Sequence, residues 1–99
     1  MTVRESKVEA HLVKRAKALG FMVRKVKFLG VDGAPDRVLF APERLRMLGH
    51  TTYWIELKAP GEKPRMRQER EHKAMREHGQ HVTVLDSIEA VNRFFEQFQ

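Results

Sequence analysis

The sequence has no cysteine among its 99 residues. This absence excludes disulfide bonds, cysteine-ligated zinc and catalysis by a thiol. No apolar run approaches the roughly 20 residues that a membrane-spanning helix needs. The segment from Met1 to Lys7 is charged where a secretory signal would be apolar. From these absences we expect a cytoplasmic protein.

Internal repeats, low-complexity tracts and linkers rich in proline, glycine or serine are also missing. Their absence favours a single domain over residues 1–99. Hydrophobic residues make up 41% of the chain and charged residues 32%. That balance excludes a disordered or fibrous chain and allows one modest core.

Positive charge is in excess. The 19 lysines and arginines outnumber the 13 aspartates and glutamates, which gives a net charge of +6. A basic surface attracts polyanions, of which nucleic acid is the common one. The alternative is a protein that is merely basic, because the charge alone does not name a partner.

The pattern of apolar residues predicts three helices and four strands. The helices are predicted at residues 5–19, 64–78 and 87–98, and the strands at residues 21–29, 36–41, 51–59 and 82–85. The segment 42–50 is compatible with a hairpin connection or with a single turn of helix. The predicted order is α-β-β-β-α-β-α. Because the third and fourth strands flank a helix, we expect them to be parallel, in an α/β fold whose mixed sheet is flanked by helices.

Two charged residues stand near the end of the third predicted strand. Alternation places Tyr53, Ile55 and Leu57 on one face, and Glu56 and Lys58 together on the other. A carboxylate and an ammonium are thereby held side by side. The alternative is an edge strand with one solvent-exposed face, on which such a pair has no function.

A second carboxylate stands at the start of the preceding predicted strand. Pro35 makes the turn rigid and Asp36 follows it. If the two strands are neighbours, Asp36 and Glu56 converge at one edge of the sheet. Two carboxylates with a carbonyl oxygen form a site for Mg²⁺ or Mn²⁺. With Lys58 to hold an attacking water, this set suits phosphodiester hydrolysis.

Two helices carry further polar candidates. Glu9 borders the apolar stripe of the first helix, and Glu5 lies on the same side as its rival. Gln68 lies one turn into the charged second helix, in register with His72 and Met75. The alternative for each candidate is an ordinary exposed side chain.

These motifs, taken in order, resemble the VRR-NUC (virus-type replication-repair nuclease) branch of the PD-(D/E)xK nuclease superfamily, in its stand-alone viral or bacterial form. The resemblance rests on Glu-Ser-x-x-Glu at 5–9, Gly-x-Pro-Asp-Arg at 33–37, Glu-Leu-Lys-Ala-Pro-Gly at 56–61 and the glutamine at 68. It covers nearly the whole chain, with Gly20-Phe21 in place of the family's usual pair of glycines. It implies a restriction-endonuclease-like mixed sheet.

The resemblance also implies roles at the strand edge. Asp36, Glu56 and the backbone carbonyl of Leu57 would bind Mg²⁺ or Mn²⁺, and Lys58 would position or activate the attacking water.

Helices and the basic surface would supply the remaining groups. Glu9 would complete the site directly or through a water, and Gln68 would orient Lys58 or contact the phosphate. The side chains assigned to DNA binding are Lys25, Lys27, Arg37, Lys63 and Arg65.

The expected function is therefore that of a metal-dependent DNA endonuclease. Its expected substrate is branched DNA, with four-way (Holliday) junctions foremost, in the cytoplasm of a bacterial or phage-infected cell. We expect a homodimer that needs no small-molecule cofactor and no membrane. Phe94, Phe95 and Phe98 would form its interface or, alternatively, fill the core. The alternative functions are a non-catalytic or structure-selective DNA-binding module and a nuclease directed to flaps or ends.

Overall fold

The computed structural model describes residues 3–49 and 51–99, so Met1, Thr2 and His50 lie outside the described residues. The elements in chain order are α1 (Val3–Ala18), β1 (Met22–Lys25), β2 (Arg37–Phe40), a 3-10 helix (Glu43–Leu48), β3 (Thr52–Leu57), α2 (Met66–Glu77), β4 (His81–Leu85) and α3 (Ile88–Glu96). This order confirms the predicted α/β fold class. Within the described ranges, no helix is both long and apolar enough to span a bilayer.

The four strands form one mixed sheet in the order β1-β2-β3-β4. β2 pairs antiparallel with both β1 and β3, whereas β3 and β4 are parallel. The parallel pair is joined through α2, which confirms the predicted crossover. β3 is therefore an interior strand, and the alternative of an edge strand with one wet face is wrong.

The core lies between one face of the sheet and the helices α1 and α3. Ile55 and Leu57 on β3 are 0% and 1% exposed. They cluster with Leu12 of α1 and Val91 of α3. The sequence favours this packing because each helix repeats its apolar residues at three- and four-residue steps. α1 and α3 also pack against each other.

The aromatic side chains of α3 belong to this core. Phe94, Phe95 and Phe98 are 8%, 0% and 5% exposed, and Phe95 packs edge to face against Phe21. Burying each ring contributes roughly 1.5–3 kcal/mol. Their expected role as an exposed dimer surface is therefore wrong, and the alternative, a core role, holds. Ser87 caps α3, because its Oγ accepts a hydrogen bond from the amide of Ala90.

Strand β1 is shorter than the predicted strand at 21–29. Its last pair joins Lys25 to Arg37, and one further bond runs from the Val26 amide to the Asp36 carbonyl. The next residue of the partner segment is Pro35, which has no amide hydrogen to donate. The chain therefore leaves the sheet although its alternating pattern continues.

The opposite face of β3 is covered by α2. Glu56 is 1% exposed, as is His72 of α2, which faces it. Glu56 therefore lies on the face of β3 opposite the apolar residues, as the alternation predicted. It is nevertheless shielded from water, because α2 packs against it.

Candidate active site

Asp36 reaches from the start of β2 to the end of β3. β2 begins one residue later, at Arg37, which pairs with Ile55. At Leu57 the side chain of Asp36 takes the place of a strand partner, since its Oδ2 accepts a hydrogen bond of 2.8 Å from the Leu57 amide. This bond holds Asp36 beside Glu56.

Glu56 is held from two elements. Its Oε2 accepts a hydrogen bond of 3.2 Å from Gln68 Nε2 and lies 3.8 Å from Lys58 Nζ. Its Oε1 lies 3.4 Å from His72 Nε2. Among residues 3–49 and 51–99, neither of these last two atoms has a hydrogen-bond partner. Glu56 is therefore a buried carboxylate with one oxygen still uncompensated.

The buried side chains of Glu56 and His72 both favour their uncharged forms. Burial, together with the hydrogen bond and the negative charge of Asp36, raises the pKa of Glu56 to about 8, although Lys58 acts in the opposite direction. Burial and the positive charges of Arg76 and Lys58 lower the pKa of His72. A carboxyl group with a raised pKa, next to a lysine in a cleft, is typical of an active site.

Gln68 is oriented by the start of α2. Its Oε1 accepts a hydrogen bond of 2.8 Å from the Arg65 amide, where the chain enters the helix. Its Nε2 is thereby turned toward Glu56. In the structure Gln68 contacts the carboxylate of Glu56. The roles that the resemblance implied for it, orienting Lys58 or contacting the phosphate, stay predictions.

The two glutamates of α1 face different cavities. Glu5 lines the cavity that contains Asp36, Glu56 and Lys58. Glu9 lines an adjoining cavity, and its Oε2 accepts a hydrogen bond of 3.0 Å from Arg37 Nε. Glu5 and Glu9 are four residues apart on α1. Glu5 lines the candidate site, whereas Glu9 forms an ion pair with Arg37.

The first of these cavities, called here the site cavity, is an open cleft of about 300 Å³. It is lined by Glu5, Asp32, Gly33, Asp36, Glu56, Lys58, Arg65, Arg67 and Gln68. The structure therefore brings Asp36, Glu56, Lys58 and Gln68 together at one opening.

The basic residues named for DNA binding are dispersed around both cavities. Arg65 lines the site cavity, and Lys25 and Lys27 line the adjoining one. Lys63 is exposed. Arg37 differs, because it is largely buried and paired with Glu9.

Gly33 connects the loop before Asp36 to α2. Its φ is +90°, and a Cβ there would lie 2.6 Å from the backbone oxygen of Arg67. Only glycine avoids both the strained backbone and this collision. The glycine of the motif is therefore needed for the close contact between the loop and the helix that carries Gln68.

His72 belongs to the site, although the sequence motifs did not indicate it. The available signal was its spacing of four residues from Gln68, which places both side chains on one face of α2.

Two carboxylates, rather than a larger cluster, are available to a metal ion. Within the described part of the chain, no group of three or more histidine, aspartate and glutamate side chains is placed to hold one. Asp36 and Glu56 nevertheless suit a hard cation, because both line the site cavity and their carboxylates lie close together.

The sequence and the fold are similar to those of known proteins. "Putative nuclease p44" of Acyrthosiphon pisum secondary endosymbiont phage 1 is 38% identical over 85 residues, which are 86% of this chain and 85% of that protein. A solved VRR_NUC domain is 30% identical and superposes with a TM-score of 0.85, over 99% of this chain and 100% of its own. No family model matches the sequence. The chain belongs to the VRR-NUC family of nucleases, as its motifs indicated.

The raised pKa of Glu56 predicts a pH-dependent stability in the absence of metal. Between the ordinary value of 4.5 and about 8, the folded protein keeps a proton that the unfolded chain has lost. The contribution of Glu56 is therefore fully present below pH 4.5 and is lost as the pH rises through about 8. We expect Glu56→Gln to abolish this loss and to stabilise the protein at pH 8.5 by a few kcal/mol.

Urea denaturation from pH 4 to 9 in EDTA measures this difference. The comparison has to be made with the wild type at each pH, because the lowered pKa of His72 acts in the opposite direction. Its contribution is lost as the pH falls below about 6.5. Parallel stability curves for the two proteins would contradict the prediction.

Proposed function

We infer that this protein hydrolyses phosphodiester bonds in DNA with the help of Mg²⁺ or Mn²⁺. One observation carries the proposal: Asp36, Glu56 and Lys58 meet in an open cavity bordered by Arg65 and Arg67. Acidic groups suit a metal ion, and basic groups suit the phosphates of a nucleic acid. The membership of a nuclease family supports the same reaction.

The chain has the donors for a divalent cation. Asp36, Glu56 and the backbone carbonyl of Leu57 would hold it. A cation would offset the burial and the negative charge of Asp36 that raise the pKa of Glu56. When bound, it would supply Lewis acidity toward a phosphoryl oxygen and toward water.

Lys58 is suited to act on the attacking water and on the phosphate. Its side chain is 12% exposed and reaches the site cavity, where its ammonium group lies 3.8 Å from Glu56 Oε2. Its three N–H donors can orient a water and stabilise negative charge on the phosphoryl oxygens. Glu56 restrains the lysine at that position.

The geometry favours Glu5 over Glu9 as the carboxylate supplied by α1. Glu5 lines the site cavity and contributes to the raised pKa of Glu56. Glu9 is turned toward Arg37 and would support the site through that ion pair. Gln68 would act by holding Glu56, rather than by contacting the phosphate.

The DNA contacts fall in two groups. Lys25 and Lys27 would bind phosphates along the adjoining cavity, and Lys63 and Arg65 would do so beside the site cavity. Arg37 would act on Glu9 instead. Contacts to phosphates do not depend on the base sequence, which fits a nuclease that selects DNA by its shape.

The proposed substrate is branched DNA, with four-way junctions foremost. Resolving a junction requires two incisions on strands related by an approximate two-fold axis. One chain offers one site cavity with this carboxylate pair in its described part, so the proposed active species is a C₂ homodimer. The alternatives are a flap- or end-directed nuclease and a DNA-binding module without catalysis. The intact set of Asp36, Glu56 and Lys58 favours an enzyme.

Lys58→Ala should separate catalysis from binding. We expect turnover on a labelled four-way junction to fall by about 10²–10³-fold, while the DNA affinity changes little because many basic residues share the binding. Cleavage by the wild type should require Mg²⁺ or Mn²⁺ and stop in EDTA. Lys73→Ala, an exposed lysine of α2 that lines neither cavity, is the matched control and should retain turnover. Full cleavage in EDTA would exclude the metal, and unchanged turnover would remove Lys58 from the mechanism.

Glu5→Gln should affect turnover, whereas Glu9→Gln should affect stability. We expect Glu5→Gln to lower turnover by tenfold or more, because it changes a carboxylate in the site cavity. Glu9→Gln should mainly lower stability, by about 1 kcal/mol, through the loss of a partly buried ion pair with Arg37. Single-turnover cleavage and urea denaturation distinguish the two effects. The reverse pattern would return the role to Glu9.

The proposed assembly predicts a dimer that cuts junctions in pairs. Sedimentation equilibrium should give twice the monomer mass of 11.6 kDa at assay concentrations. Four-way junctions should receive two symmetric nicks and be preferred over flaps, single strands and plain duplex. A monomer that still cuts in pairs would refute the dimer. A dimer that ignores junctions but cuts flaps would retain the nuclease and change its substrate.

A further inference from the structure

Helix α2 presents two side chains to the two oxygens of one carboxylate. Gln68 and His72 are four residues apart and share one helix face. Gln68 Nε2 donates to Oε2 of Glu56 at 3.2 Å, and His72 Nε2 lies 3.4 Å from Oε1. The helix thus approaches both ends of the carboxylate from one side.

The contact between His72 and Glu56 is isolated from water. Both residues are 1% exposed. In the described ranges, no other hydrogen-bond partner is present for either His72 Nε2 or Glu56 Oε1. At 3.4 Å the two atoms leave no room for an intervening water, so each is the partner available to the other. A neutral imidazole with its proton on Nε2 would donate to the carboxylate oxygen.

We propose that His72 is a positioning residue that fixes the orientation of the Glu56 carboxylate toward a divalent cation. Donors on both oxygens define the plane of the carboxylate and prevent its rotation about the Cγ–Cδ bond. Oε2 is then held on the side of Lys58, which lines the site cavity. This inference rests on the proposed function, because it requires Glu56 to bind the metal.

A purely structural role for His72 predicts different behaviour. A buried histidine that only fills space acts through packing, so an apolar side chain of similar volume can replace it with the fold retained. A positioning role predicts that the same replacement weakens metal binding while the fold persists. Groups that orient metal ligands typically contribute 10–100-fold to metal affinity.

The test is Mn²⁺ binding without DNA, followed by the loss of the free-ion electron paramagnetic resonance signal. We expect His72→Leu to bind Mn²⁺ 10–100-fold more weakly than the wild type, with the fold retained in its circular dichroism spectrum. His72→Gln, whose amide can donate as Nε2 does, should retain affinity within about fivefold. Met75→Leu, one turn further along α2, is the matched control and should bind as the wild type does.

Two results would overturn the proposal in distinguishable ways. If the wild type binds Mn²⁺ no better than Glu56→Gln does, the proposed metal site fails and the inference fails with it. If the wild type binds through Glu56 and His72→Leu binds equally well, His72 has no positioning role and the proposed function remains. If His72→Leu does not fold, His72→Met takes its place, and wild-type affinity in that variant has the same meaning.

Discussion

A carboxylate that is removed from water has to be compensated by hydrogen-bond donors, by a proton or by a cation. Glu56 is in this position because β3 is an interior strand and α2 covers its outer face. Gln68 and Lys58 compensate one oxygen, and His72 faces the other. The start of β2, the end of β3 and one face of α2 each place a side chain against this one group.

The site depends on contacts between elements that are distant in the chain. Asp36 is fixed by the backbone of β3 at Leu57, and Gly33 brings the preceding loop against the backbone of α2. An exposed ion pair of 2.7 Å between Asp32 and Arg67 joins the same loop and helix. The loop that precedes one carboxylate and the helix that holds the other are therefore linked to each other, and a displacement of α2 would disturb both.

Local patterns predicted the elements whose faces are chemically distinct. α3 has an apolar stripe and a serine cap, and β3 alternates cleanly, so their positions and the parallel crossover could be predicted. The full length of β1 could not, because it ends where the partner segment reaches Pro35, which is a property of the pairing rather than of β1 itself. The 3-10 helix at Glu43–Leu48 buries no residue and has no periodic apolar signal.

The candidate site was predictable at the strands and less so at the helices. Asp36, Glu56 and Lys58 follow from adjacent strands and from side-chain alternation. The choice between Glu5 and Glu9 depends on how α1 is rotated over the sheet, which helical periodicity alone does not give. His72 is buried on a helix that is polar on nearly every side, so hydrophobic patterning could not distinguish it from its exposed neighbours.

The packing of α1 against α3 has a consequence for how the protein is made. About 70 residues of chain separate the two helices, and Leu12 of α1 belongs to the same buried cluster as Val91 and Phe95 of α3. Contacts between such distant segments form late in folding. A nascent chain on the ribosome that has been synthesised only as far as α2 carries every motif residue but lacks the core that supports them. The site residues therefore gain their supporting core only after α3 has been synthesised.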